Sequence, residues 1–252
     1  MNNLMLSNGL TSIGSLAFGD CSSLSSVNIP SSVTTIGNSA FRQSTSLASF
    51  SVDPNNPYFV SISGVIYNKS VSTLVEVPGG FSGNFTIPSS VTSIGDGAVS
   101  SCAYLTSITI PNGLKSIGNS AFYMTCVSSI SIPSTVTTIA ANAFYGSNNL
   151  TSVTIPLGVE SIGDFAFAQC ANLANVSIAS SVNSIGNYVF FECPQLSNVT
   201  IQSVTPPSLP SSSYTFTAEA SGFEIHVPSS TAVSAYDAAT GWCSYASEIV
   251  TP

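Results

Sequence analysis

Residues 105–126 read LTSITIPNGLKSIGNSAFYMTC, and nearly everything else in the chain is a copy of this stretch, an insertion into it or a cap on the stack it builds. Anchored on the Ile-Gly step, the copies stand at Ile13-Gly14, Ile36-Gly37, Ile94-Gly95, Ile117-Gly118, Ile139-Ala140, Ile162-Gly163 and Ile185-Gly186, at spacings of 23, 58, 23, 22, 23 and 23 residues. The apolar residue that ends each strand is a second ruler: Leu6, Ile29, Val52, Ile87, Ile110, Ile132, Ile155, Ile178 and Ile201. Its steps show that the 58-residue gap is one ordinary repeat plus one of 35 residues. A fixed period in the twenties is the signature of a solenoid.

Each unit follows from its residues. Leu105, Ile108 and Ile110 fit the inward positions of a half-buried strand, with Ser107 and Thr109 pointing out. Pro111 ends the strand because it has no N–H for a ladder. Leu114 and Ile117 turn inward, and Gly118 permits a tight corner. Asn38, Asp96, Asn119, Asp164 and Asn187 are placed to cap a short helical turn that carries Ala-Phe. Stacking converts these positions into ladders: Phe18, Phe41, Phe122, Phe144, Phe167 and Phe190 form one, with Val99 as a weak rung. One coil cannot bury its own apolar face, so its neighbours must. Some nine coils at strand spacing predict a short curved rod roughly 40 Å long.

The units LTSITIPNGLKSIGNSAF and LTSVTIPLGVESIGDFAF resemble the BspA-like leucine-rich repeats, also called the Treponema pallidum type, over roughly residues 4–203. The resemblance implies a right-handed leucine-rich-repeat coil of about 23 residues per turn with a parallel β-sheet on its concave face. Short helical turns or loops make up the remainder. It also implies surface-exposed or secreted proteins, often adhesins, without catalysis. Residues 1–203 then form the solenoid, with a hairpin-like insertion at 53–80, and residues 204–252 form a C-terminal capping segment.

Composition narrows the function classes. Only 6% of the 252 residues are charged, and the basic ones are Arg42, Lys69 and Lys115 alone. A net charge of −8 argues against nucleic acid and against an anionic membrane surface. No run approaches the roughly 20 apolar residues of a membrane span. Met1–Leu10 shows no signal-peptide pattern, and the chain starts inside a repeat, so residues upstream or a trimmed leader are expected. That uncapped start invites self-association through its open strand edge.

The insertion reads as short strands at 59–61 and 64–67, a turn at 68–70 and a third piece at 73–77. A decorated repeat with its ladder intact, or a contact site on the tip near Asn68-Lys69, both fit. Beyond it, the outward strand positions form two columns that include Ser107, Ser129, Ser152 and Asn175, and Thr109, Ser131, Thr154 and Ser177. These are the expected partner-binding residues, for an extracellular protein or glycan. A merely solvated sheet, or an ice-facing hydroxyl array, is the alternative. The opposite side offers an aromatic patch of Tyr123, Tyr145, Phe165, Tyr188 and Phe191, unless each ring lies flat on its neighbour.

The C-terminal segment predicts a last strand at 223–228, a short helix at 234–239, and Trp242 as the plug of the open core. The order VP, AY, GW, Y, I resembles the cap of bacterial family members. Chemistry is sparse. The single His226 with Asp237 and a serine lacks any nucleophile motif, and no acidic pair, metal-ligand spacing or phosphate loop stands out, so no cofactor is implied. Four of the six cysteines, Cys21, Cys102, Cys170 and Cys193, share one inward repeat position. A bridge between Cys170 and Cys193 on adjacent coils is geometrically possible. Sequons at Asn68, Asn84, Asn149, Asn175 and Asn198 arise readily in so Ser/Thr-rich a chain. A structural segment of a larger surface assembly is the second functional reading.

Overall fold

Segments such as Ser26–Ile29 and Ser152–Ile155 alternate exposed and buried residues, and each alternate β-branched side chain enters a common core. The computed structural model describes residues 3–210, 214–217 and 220–252. It is a β-solenoid of about 11 turns at the 23-residue spacing. Strands pair in parallel with their repeat equivalents, as in Ser152↔Asn175↔Asn198 and Ile155↔Ile178↔Ile201.

The long-strand ladder is not continuous. It comprises Asn3–Met5, Ser26–Ile29 and Ser49–Val52, then the pair Gly83–Thr86 and Leu105–Thr109, then five strands from Ser152–Ile155 to Ile249–Val250. The first break is the insertion, so the ladder is not kept intact there. The second falls at Ser129 and Ser131, which lie outside any strand. Its cause is legible: this coil is the 22-residue one, lacking one residue between Phe122 and Ile132. Val127 fills the buried place that Leu105 and Leu150 hold on neighbouring coils. The shortened segment cannot reach register with both neighbours.

A second ladder carries the continuity instead. Ser93–Ile94, Ser116–Ile117, Thr138–Ile139, Ser161–Ile162 and Ser184–Ile185 pair in parallel within an eight-stranded sheet. Even here the short coil is looser: the Ala140 N–H reaches Ile117 O at 3.4 Å, against 2.8 Å for Gly163 to Ile139.

The third side is built from turns, not from the helical turn expected at Ala-Phe. Most coils hold two left-handed residues four apart, such as Ser120 and Met124 (φ 54° and 53°) or Phe165 and Gln169 (57° and 56°). Between them, alternate N–H groups donate to the next coil: Asn142 to Asp164 O, Phe144 to Ala166 O and Gly146 to Ala168 O. Asp96 and Asp164 therefore cap no helix. Their Oδ1 atoms accept the Asn119 and Asn187 N–H groups of the following coil at 2.8 and 2.7 Å. The glycine before each one is there for stacking: a Cβ on Gly163 would lie 2.6 Å from Ala141 N. Inside this turn side the phenylalanines stack, with Phe122, Phe144 and Phe167 at 5.0 Å centroid steps and ring planes within 4°. Each buried ring is worth about 1.5–3 kcal/mol by transfer.

The insertion is an antiparallel meander of Phe59–Ile62, Val65–Asn68 and Thr73–Glu76, whose last strand joins the second ladder beside Ser93–Ile94. Asn68 closes its turn, accepting the Ser72 and Thr73 N–H groups on Oδ1. Val65–Asn68 is buried on both faces and divides the interior. Ile66 belongs to a core with Val27, Phe41 and Phe50, while Val65 and Tyr67 belong to the larger core that runs on to Trp242. Burial raises the Tyr67 phenol to about 12. Glu76 is 3% exposed, and desolvation holds its carboxyl well above the usual range, opposed by the Phe41 N–H it accepts.

The C-terminal segment extends the stack: Glu224–His226 pairs with Asn198–Ile201, and Ile249–Val250 pairs with Glu224–His226. The helix spans Ser230–Ala238, with Ser229 as its N-cap. Trp242 is fully buried against Tyr236 and Phe216, and its Nε1–H donates to Pro207 O at 2.6 Å.

Candidate binding surfaces

Four of the expected partner-binding residues come together. Ser152, Thr154, Asn175 and Ser177 lie in direct register, continued by Asn198 and Thr200, on the longest unbroken piece of the long-strand face. Ser107 and Thr109 sit on a separate two-stranded piece beside Asn84 and Thr86. Ser129 and Ser131 are exposed but fall in the gap between the two pieces. Part of this polar face is bonded internally: Ser107 Oγ and Thr106 Oγ1 both donate to Asn84 Oδ1, and Asn198 Nδ2 donates to Asn175 Oδ1.

The aromatic residues form two stacks rather than one patch. Tyr123 and Tyr145 lie at 5.1 Å and 4°, with the Arg42 guanidinium 5.5 Å from the Tyr123 centroid. Phe165 stacks on Tyr188 at 4.8 Å and 6°, and Phe191 meets Tyr188 edge-on. Each ring is half-buried by its neighbour. Burial, then Tyr123 and Glu192, raise the Tyr145 phenol. Tyr214, 54% exposed, extends the second stack, and Phe216 extends the inner ladder. Both were missed in the repeat count, although the spacing Tyr214-x-Phe216 copies Tyr188-x-Phe190 and Phe165-x-Phe167.

Between the second ladder and the turn side runs an open groove of about 550 Å³. Thr138, Ser161, Ser184 and Asp164 line it together with the ladder residues Ile139, Ile162 and Ile185 and the small Ala140, Gly163 and Gly186. The sequence reading did not single it out.

The remaining candidates separate. His226 Nε2 lies 3.3 Å from Glu224 Oε2, while Asp237 is on the exposed side of the helix. Cys170 and Cys193 donate to the carbonyls of Phe144 and Phe167, both at 3.2 Å, and no disulfide joins them. Burial raises the Cys170 thiol, as does neighbouring Cys193. Among the described residues no group of three or more His, Cys, Asp or Glu side chains is placed to hold a metal ion. No helix among them is long and apolar enough to cross a membrane.

The model of the BspA type leucine-rich repeat region matches residues 1–75, 82–197 and 115–233, in six copies. The chain belongs to this BspA-type leucine-rich repeat family. Among solved structures, the BspA-type chain is similar to a leucine-rich cell surface protein from Faecalibacterium prausnitzii A2-165, at 32% identity and TM-score 0.70, covering 77% of this chain and 52% of that one. It is also similar to a leucine-rich repeat protein from Eubacterium ventriosum, at 26% identity and TM-score 0.67, covering 84% and 61%. The pneumococcal vaccine antigen PcpA shares the fold at 23% identity and TM-score 0.78, covering 96% of this chain and 58% of that one. The chain thus spans between half and two thirds of each of these structures. No curated protein matches it.

Proposed function

We propose that this BspA-type chain is a non-enzymatic binding module working outside the cell, as a secreted or surface-displayed adhesion element. Its long-strand face would be presented to an extracellular protein. The observation that carries this reading is the registered block of Ser152, Thr154, Asn175 and Ser177, whose polar side chains stand on rungs fixed by a fully packed core. A rigid scaffold of this kind orders its contact groups before binding, which removes part of the entropic cost of association. The similar Faecalibacterium protein, described as a cell surface protein, supports the location. The decisive experiment measures binding of the labelled chain to extracellular-matrix proteins and whole cells, beside the Ser152→Arg/Asn175→Arg variant. Binding that the double variant loses supports the proposal. Binding it retains moves the site off this face, and absence of binding by the intact chain removes the adhesion role.

A further inference from the structure

The groove between the second ladder and the turn side passes over a departure from the repeat pattern. On most coils the residue two beyond the ladder Ile is Asp or Asn: Asn38, Asp96, Asn119, Asp164 and Asn187. Where it is Asp96 or Asp164, the side chain accepts the N–H of the equivalent residue on the next coil. At the 22-residue coil the motif is Ile139-Ala140-Ala141, and the row is interrupted. Ala141 offers no acceptor, and the Asp164 N–H, like those of Asp96 and Ala141, meets no partner among the described residues, whereas those of Asn119 and Asn187 meet a carboxylate. The space a carboxylate would occupy is instead part of the groove, whose floor and walls include both Ala141 and Asp164.

The chemistry at this interruption is varied. Ser161 and Ser184 supply hydroxyls from the ladder wall, the Asp164 N–H is a donor, and Asp164 Oδ2 is a charged acceptor at the rim. The next residue on each of the two coils is Phe165 and Tyr188, stacked at 4.8 Å. A chiefly apolar surface with hydroxyls and one carboxylate along it suits a ligand with apolar faces and regularly spaced hydroxyls, as a chain of sugar rings has. No Lys or Arg lines the groove, its one charge is negative, and the chain carries −8 overall, so an anionic polymer is repelled.

We propose that the groove at Ala141 and Asp164 binds a neutral linear polysaccharide laid along the solenoid axis. Three ladder steps from Thr138 to Ser208 span about 14 Å, room for a few sugar rings in line. This site lies on a different side from the protein-binding face proposed above and does not depend on it.

The test uses isothermal titration of the full chain with a soluble neutral β-glucan and a soluble mannan, with a sulfated glucan as the charge control. The key variant is Ala141→Asp, which restores the row's own acceptor, fills the groove and is expected to melt no lower than the natural chain. Saturable binding of at least one neutral polymer, weakened tenfold or more by Ala141→Asp and unchanged by Ser152→Arg/Asn175→Arg, supports the site. Asp164→Asn keeps an acceptor for the Asn187 N–H and should weaken binding severalfold without loss of melting temperature. Binding that survives Ala141→Asp, equal or tighter binding of the sulfated polymer, or no binding of either neutral polymer overturns the proposal. Loss of glucan binding with cell binding retained would leave the protein-binding reading standing.

Discussion

The two cores on either side of Val65–Asn68 are made from the same repeat but differ in how fully their residues are covered. The larger core runs to a plug, where Trp242 and Tyr236 are fully buried. The smaller core runs to a coil whose Leu4, Leu6, Leu10 and Phe18 are only partly covered. What separates them is one strand, whose alternate residues pack to opposite sides. In a stack each unit draws its stability from the interfaces beside it, so a substitution should be felt first on its own side of that strand.

The largest expected effect sharpens that contrast. Trp242→Ala removes the plug and its bond to Pro207, and should cost about 3–5 kcal/mol. Its melting transition should fall while amide exchange protection of Ser26–Ile29 stays the same; equal loss of protection there would mean that the two cores unfold as one. Next in size, Ile66→Ala should cost about 2–5 kcal/mol and expose Ser26–Ile29 and Ser49–Val52 to exchange. Val65→Ala, one residue earlier on the same strand, should instead act on the larger core. If both variants change the same amides, the strand is not a partition.

A smaller effect lies at the boundary itself. Glu76 is protonated in both folded and unfolded chains below its ordinary value of 4.5. As pH rises past that value the unfolded chain ionises while the buried carboxyl keeps its proton. Stability is therefore fully present at low pH and declines until the pH passes the raised folded-state value. Glu76→Gln should flatten this slope, read as the difference in denaturation midpoint between pH 4 and pH 8; an unchanged slope would show that another group controls it. Smallest of all, Gly163→Ala should cost about 1–3 kcal/mol because its Cβ meets Ala141 backbone, whereas Gly9→Ala meets nothing within 4 Å and should be near neutral.

Periodic features were legible because each is repeated many times. The inward Ile and Val positions, the Phe ladder, the meander at 59–76 and the Trp242 plug all occur where spacing and residue type place them. What escaped were the features made by a departure from the period. One missing residue before Ile132 took Ser129 and Ser131 out of the sheet, and no residue type at those positions announces it. The second ladder was hidden because two-residue strands such as Ser161–Ile162 are too short to alternate. The left-handed turns were hidden because Ser120, Phe165 and Tyr188 are not residues that favour positive φ. The groove likewise passes over Ala141, which stands where the pattern has Asp or Asn.

Those left-handed turns bear on how such a chain lengthens. A non-glycine residue held there costs about 1–2 kcal/mol, and most coils hold two. The cost is offset by N–H groups such as those of Asn142, Phe144 and Gly146 finding the next coil's carbonyls. A copy added by gene duplication after the last coil would find no such carbonyls and carry its strain uncompensated. A copy arising within the array has a following coil to donate to. Growth from within is then the easier route, and aberrant units, such as the 22- and 35-residue ones here, survive where normal coils flank them on both sides.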